Sequence, residues 1–327
     1  MTITLANLSI SGRLVIDLHS LNNEGGEGNQ IQTRMVNIVD RTGELHSVNA
    51  ISGDMFKHIQ AEHLFQIARA EELPLSAGAR VFDANRINAD PDFIERTAKM
   101  TDGDLLHDLL HTCTVSDIEG VLVTENKKSV PRKSVIEFAW VTGVPEQVQT
   151  DSYFHVKYAQ DRSSAQREAD RASQQSTGSN LGQSIFHRPA SSGVYAVVCH
   201  LNLARIGFND ILQNYALDVE QRLDRARALL RSTLYTFVQP NGAMRSAQAP
   251  HILGFSGVIT TSSKPVPAPT VSPLHEGYRA EIDTTADVLN QIEGEGTINL
   301  AGFEDMGSFA DAMRYLLSDM NLYAYKV

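Results

Sequence analysis

The residues best placed to do chemistry lie in one stretch, 20–60, SLNNEGGEGNQIQTRMVNIVDRTGELHSVNAISGDMFKHIQ. It opens on a polar, glycine-rich segment and closes on a helix start carrying Lys57 and His58. The chemistry these residues suit is anion binding. Gly25, Gly26 and Gly28 let backbone N–H groups approach a phosphate closely, and Asn22, Asn23, Asn29, Gln30 and Arg34 add neutral and cationic donors around them. Downstream, Ser52 and Gly53 begin a helix whose free amides and dipole favour negative charge, with Lys57 and His58 one turn further on. Two small-molecule readings fail on spacing. The stretch lacks the Gly-Lys-Ser/Thr ending of a P-loop, and it lacks the third glycine that opens a helix in a dinucleotide fingerprint. What remains is a loop, an extended run over 35–40, a polar turn at 41–44 and a helix start, a layout suited to an extended polyanion. The competing reading is a solvated connection between a strand and a helix.

Several elements must position these groups. Ile10, Leu14, Ile16 and Leu18 alternate with more polar residues and predict a first core strand. A helix over 53–69 places Phe56, Ile59, His63 and Ile67 on one face, with Lys57, Gln60 and Glu62 elsewhere. Residues 71–120 read as mostly helical, with turn signals at Pro74, Gly78 and Asp90-Pro91. Strands are expected over 135–141, 153–158, 185–188 and 194–203. Between 159 and 184 the chain is almost wholly polar, so it should protrude, or stay unordered until a partner holds it. A helix over 218–238 is marked by a capping box at Asp218 and Gln221 and ends at Pro240-Asn241-Gly242. A last core strand over 251–261 leads into KPVPAPTVSP, whose prolines suit an extended connection. The tail offers a strand over 278–282, a helix over 309–317 and a closing strand, LYAYKV. Without its insertions the order is βαββαβ, the split, ferredoxin-like pattern shared with RNA-recognition modules, and hence an α+β fold.

With 42% hydrophobic residues, the 327-residue chain can bury a substantial core in one elaborated domain or two. No apolar run approaches a membrane span, and the N-terminus lacks a signal-peptide profile, so a cytoplasmic location is expected. Two cysteines, Cys113 and Cys199, are too few for a disulfide framework. The net charge of −11 argues against nonspecific nucleic-acid binding by the whole surface but leaves room for a local basic groove. NKKSVPRK, 126–133, carries four cations and no acid.

Several motifs then recur in order: LNNEGGEGNQIQTR before ISGDMFKH, SDIEGVL before PRKSVIEFAW, IFHRPASSGVYAVVCHLNLARIG, and GAMRSAQAPH. In this order they resemble the Cas-seven group, the backbone subunits of CRISPR Cascade surveillance complexes, and within it the DevR or Csa-type autoregulator branch. The resemblance covers about 10–262. It implies a ferredoxin-like palm with helical fingers and a protruding β-hairpin thumb: palm at 1–70 and 194–263, fingers at 71–150, thumb at 151–193, and a C-terminal extension at 264–327. It also implies partners: a guide RNA (crRNA), a target DNA strand, neighbouring copies of the same chain and other Cascade subunits. The implied RNA contacts are Asn22, Asn23, Gly25, Gly26, Arg34, Ser52, Gly53, Lys57 and His58, with Lys133 and Ser134 from the basic strand and Arg245 and Ser246 before the last core strand. Phe186 is the residue expected to wedge or stack against a displaced base. Glu24 and Glu27 depart from the family's basic or neutral tendency and shift the binding onto backbone amides.

Three rival readings remain. His107 and His111 stand four apart with Cys113 beyond, yet the set lacks an H-E-x-x-H signature and no metal or other cofactor is expected. A target-RNA-cutting backbone subunit would need an acidic catalyst, and Asp17, Asp40 and Asp54 are the nearest carboxylates. Asp54 is well explained as a first-turn helix acid, so no catalysis is expected. A structural or regulatory protein without nucleic acid is the third. Arg222, Arg225, Arg227 and Arg231, interleaved with Glu220 and Asp224, read as a solvated helix face.

Overall fold

The structure, a computed structural model, describes residues 3–27, 30–158, 183–241 and 249–326; for 23, 24, 26, 27, 155–158 and 183–186 only the backbone is described. In chain order, β1 (Asn7–His19) is followed by the hairpin β2 (Asn23–Glu27) and β3 (Gln30–Thr33), then β4 (Met35–Val39) and β5 (Leu45–Ile51). Helix α1 (Gly53–Ala70) leads into four shorter helices, α2 (Ala77–Arg80), α3 (Pro91–Thr97), α4 (Asp102–Thr112) and α5 (Thr114–Glu119). Next come β6 (Ile136–Phe138) and the long strands β7 (Val141–Tyr158) and β8 (Gln183–Asn202), then α6 (Val219–Val238) and β9 (His251–Ser262). The chain closes with α7 (Tyr278–Glu293), β10 (Ile298–Phe303) and α8 (Met306–Ser318). No helix among the described residues is long and apolar enough to cross a membrane.

The main sheet runs β10-β9-β1-β8-β7-β5-β4, antiparallel at every step, with β6 also paired to β8. Leu8, Ile10, Leu14 and Ile16 of β1 are fully buried, as their alternation requires. Helices α1 and α6 pack side by side beneath this strand set, joined by a hydrogen bond from Gln60 Nε2 to Ser232 Oγ at 2.8 Å. An aromatic column extends the core: Phe56, Phe237, Phe255, Phe303 and Phe309 follow one another at ring separations of 4.5–6.0 Å. Rings at such spacing add stability beyond the area they bury.

The other face of β1 is polar and still buried. Asn7 Nδ2 donates to Val266 O, Ser9 Oγ to Ala268 O and Arg13 Nε to Pro273 O, all at 2.9–3.0 Å, while Thr260 Oγ1 of β9 reaches Pro269 O at 2.9 Å. After a tight turn in which the Val266 amide donates to Lys264 O, the proline-rich run is extended over 266–273 and lies on the sheet as its cover. Prolines leave carbonyls bare of ladder partners, and the sheet's hydroxyl, amide and guanidinium groups supply the donors.

Several expectations need correction. The glycine-rich loop is the paired hairpin β2–β3, and β5 and β10 form where no strand was expected. Residues 278–282 are the first turn and a half of α7; Tyr278, Ile282 and Ala286 are buried at a spacing of four, a helical period that a five-residue window cannot reveal. In the closing segment only Met320–Leu322 is a strand, parallel to Ile3–Leu5. The two strands expected over 185–203 are one, β8. Leu18 lies at φ +53° and is largely exposed, so the alternation of β1 ends at Ile16. Gln60 faces inward, held by Ser232. The polar segment 159–184 lies almost entirely outside the described residues, β8 beginning at Gln183.

Candidate nucleic-acid interface

The start of α1 is built by side chains that bind one another. Asn22 Oδ1 accepts from the Ser52 amide at 3.1 Å and from Ser52 Oγ at 2.9 Å, and Ser52 Oγ accepts from the Met55 amide as the N-cap. Behind them, Thr33 Oγ1 donates to Asn22 O, Asn49 Nδ2 donates to Thr33 Oγ1 and to Arg34 O, and Tyr195 OH donates to Asn49 Oδ1. This relay runs from β8 through β5 and β3 to the helix. Asn22 is 5% exposed and Ser52 is buried, so both position the site from within. Gly53 is needed for close approach: a Cβ there would run into the Phe138 carbonyl. Gly25, at φ +119°, faces open space, with its backbone paired to Gln32 and that of Gly26 to Ile31.

One turn into α1, Lys57 and His58 border a cavity of about 300 Å³, lined also by Asp54, Phe82, Asp83, Arg86 and Glu119. Lys57 Nζ donates to the Glu119 carbonyl at 2.9 Å, and Arg86 Nη1 donates to the next carbonyl, Gly120 O, so both cations cap the end of α5. Burial pushes Lys57 below its ordinary range, offset in part by the Glu119 carboxylate. Burial pushes Glu119 up to about 7, against the pull of Lys57 and Arg86. Gln60 also lies near enough to oppose the rise, with one N–H of its Nε2 on Ser232 and the other left over, yet neither Glu119 carboxyl oxygen meets a donor in ordinary hydrogen-bond geometry. His58 is exposed, its ring 5.6 Å from Phe82.

The remaining expected residues divide. Arg34 lies 5.2 Å from the Trp140 ring centroid, beside the exposed face of that ring. Lys133, 65% exposed, pairs with Glu137 at 3.1 Å. Ser134 instead closes a turn, donating to Ile136 O at 2.6 Å and accepting from the Ile136 amide. The side chains of Asn23 and Phe186, and all of Arg245 and Ser246, lie outside the described residues. The Phe186 backbone pairs with His155 far out on the β7–β8 hairpin. β1 leaves this hairpin at Ser191, and beyond that point β8 keeps β7 on one side and meets β3 only at Gln30. Tyr153 and Phe154 are exposed aromatics on that projection. Like Phe82, Arg86 and Glu119, they escaped sequence reading because nothing local marks a strand overhang or a cavity wall.

Much of the basic character proves internal. Arg132, from the 126–133 run, is buried: it donates to Asp117 Oδ1 at 2.6 Å, to Asp210 Oδ2 at 3.0 Å and to the Phe208 and Arg205 carbonyls. Arg225 donates to Asp117 Oδ2 at 2.7 Å, and Arg222 to the Ile206 and Tyr323 carbonyls. These two arginines are core residues, and the solvated helix face reduces to Arg227, paired with Asp224, and Arg231, paired with Glu71. The network ties α5, α6 and the 205–210 loop together, and it explains why SDIEGVL and PRK stand where they do.

Among the described residues the histidine pair gains no third ligand, whereas Asp40 does stand with Glu44 and His46, their ligand atoms within 4.8 Å of one another on an exposed turn. The His107 and His111 rings are 4.9 Å apart, while Cys113 is turned to Ser76 and the Ser116 amide. Asp40 accepts from the Thr42 amide and hydroxyl, the Glu44 amide and His46, which hold its carboxyl well below the usual range and identify it as the turn's cap.

A family model described as "CRISPR-associated negative auto-regulator DevR/Csa2" matches residues 10–283, from within β1 into α7. The chain belongs to the DevR/Csa2 family. A relative from Saccharolobus solfataricus, named CRISPR-associated protein Cas7/Csa2 1, is 24% identical over 87% of this chain and 88% of its own. Another from Methanocaldococcus jannaschii, CRISPR-associated protein Cas7/Cst2/DevR, is 24% identical over 95% and 98%. A solved chain titled CRISPR RNA-guided surveillance complex is similar with a TM-score of 0.47 and 13% identity, covering 95% of this chain and 98% of that one. The DevR/Csa2 match takes in the α1 start, the cavity and the projecting hairpin, and it ends before β10 and α8.

Proposed function

We propose that this DevR/Csa2-family chain is a noncatalytic guide-RNA-binding subunit that packs copy to copy along a crRNA as the helical backbone of a Cascade complex, alongside other Cascade subunits, for recognition of a target DNA strand. The palm in this reading is ferredoxin-like: β9-β1-β8-β6 with α1 and α6 on one face follows the βαββαβ plan. The observation that carries the reading is the position of the glycine hairpin β2–β3. It meets the projecting hairpin at Gln30–His187 and meets the helix start through Asn22 and Ser52. Three segments are thereby joined in one proposed surface: a projection with exposed aromatics, the glycine-bearing strand β2, open at Gly25, and a helix start with Lys57 and His58. Such a surface suits a backbone track with sequence-independent contacts, and repetition along the strand turns weak sites into avidity.

The chain, coexpressed with its neighbouring subunits and a repeat-containing transcript, should copurify with small RNA of repeat-derived ends; purified complex free of RNA would refute the reading. Incubation with complementary RNA and a divalent metal should leave that RNA intact, since Asp40 is occupied in its turn and Asp54 is a first-turn helix acid.

A further inference from the structure

The cavity beside α1 holds more than a phosphate contact needs. Glu119 is 2% exposed, and neither of its carboxyl oxygens has a hydrogen-bond donor; the neighbouring Gln60 Oε1 also lacks one. A buried carboxyl left this way is costly unless another group meets it. Lys57 and Arg86 each give one donor to a carbonyl, yet an ammonium carries three and a guanidinium five. Phe82 stacks on Phe65 at 5.2 Å and turns toward His58, so aromatic surface lines the same space. Phe82 and Arg86 are both held at positive φ, +54° and +50°, a backbone cost that directs them to this wall.

The lining selects among ligands. A metal cation would face Lys57 and Arg86, and a bare anion would face Asp54, Asp83 and Glu119. A flat ring with N–H groups on its edge and a phosphate at its back satisfies both sets. The volume of about 300 Å³ lies at the small end of ligand sites. We propose that this cavity is a base pocket: it receives one nucleobase turned out of single-stranded RNA, with the ring against Phe82 and His58, an edge amino group donating to Glu119, and the flanking phosphate on Lys57 and Arg86. The proposal rests on the RNA-binding reading. Above about pH 7, where Glu119 is ionised, it favours amino-bearing bases over uracil, because both carbonyls of uracil flank its one ring N–H and oppose a carboxylate.

The test uses the full chain and a single-stranded RNA carrying 6-thioguanosine at one position, irradiated and mapped by peptide. Crosslinks should fall within 82–86 or 54–61, and Phe82→Leu and Glu119→Gln should each lower their yield at least fivefold while overall RNA affinity falls less than threefold. Circular dichroism confirms that each variant is folded; Glu119→Gln, isosteric and uncharged, stands alone if Phe82→Leu fails. RNA bound with crosslinks elsewhere, indifferent to both substitutions, would overturn the pocket and leave the RNA reading intact. Absence of RNA binding by the wild-type chain would overturn both.

Discussion

Asp117 and Glu119 stand two residues apart on the same short helix, both buried, and they have opposite surroundings. Asp117 receives Arg132, Arg225 and the Gly207 amide at 2.6–3.1 Å. Glu119 receives no hydrogen-bond donor and borders a cavity. A carboxylate held by two guanidinium groups is part of the fold, because its desolvation is answered in place. A carboxyl left unanswered destabilises the fold and is retained where a ligand or a proton can answer it. Two acids that look alike in SDIEGVL therefore do different work, one structural and one at the candidate site.

The largest effect should come from breaking the satisfied acid. Asp117→Asn leaves Arg132 and Arg225 partly uncompensated in the core and should cost about 3–5 kcal/mol in urea unfolding. A loss under 1 kcal/mol would show that the arginines find other partners. Glu119→Gln should do the reverse. The folded chain keeps the Glu119 proton to about pH 7, and the unfolded chain releases it near the ordinary glutamate value of 4.5. Unfolding in that window releases a proton, so stability falls as pH rises through it, by roughly 3 kcal/mol in all. The variant should lack this decline and equal the wild type near pH 4.5. His19, which burial pushes down to about 4, has the opposite slope below 6.5, and it cancels in the difference between the two proteins. Parallel pH profiles would show that Glu119 is not held neutral.

Between these lies the hinge of the site. Asn22→Ala removes the acceptor for the Ser52 amide and hydroxyl and should cost about 1–3 kcal/mol, with RNA retention falling alongside. Retention unchanged at lowered stability would separate the hairpin from the binding surface. The smallest stability effect, within about 1 kcal/mol, belongs to Lys57→Gln with His58→Gln; its signature is instead a shallower salt dependence of RNA retention, by about 0.7 in log–log slope per charge removed. An unchanged slope would place the phosphate track elsewhere.

Much of this molecule was legible locally. The capping box at Asp218 and Gln221, the Ser52 N-cap, the turn after Asp40 and the apolar period of β1 each depend on residues within a few positions of one another, and all four are present. The candidate site was legible as a list and not as an arrangement. Asn22, Ser52, Gly53 and Lys57 do meet at the helix start, but Asn22 and Ser52 are occupied with each other, and Phe82, Arg86 and Glu119 were not foreseen.

Sequence alone determined the helices and strands with local caps and periods, and the order of motifs that marks the family, because those signals act over one or two turns of chain. Tertiary structure decided which charges are inside. Arg225 meets Asp117 across 108 residues, and Arg132 meets Phe208 across 76, distances over which no periodicity distinguishes a buried arginine from a solvated one. It also decided that 266–273 covers the sheet and that Glu119 faces a cavity. Burial and pairing are properties of what the rest of the chain brings alongside, and that is set only when the layers close.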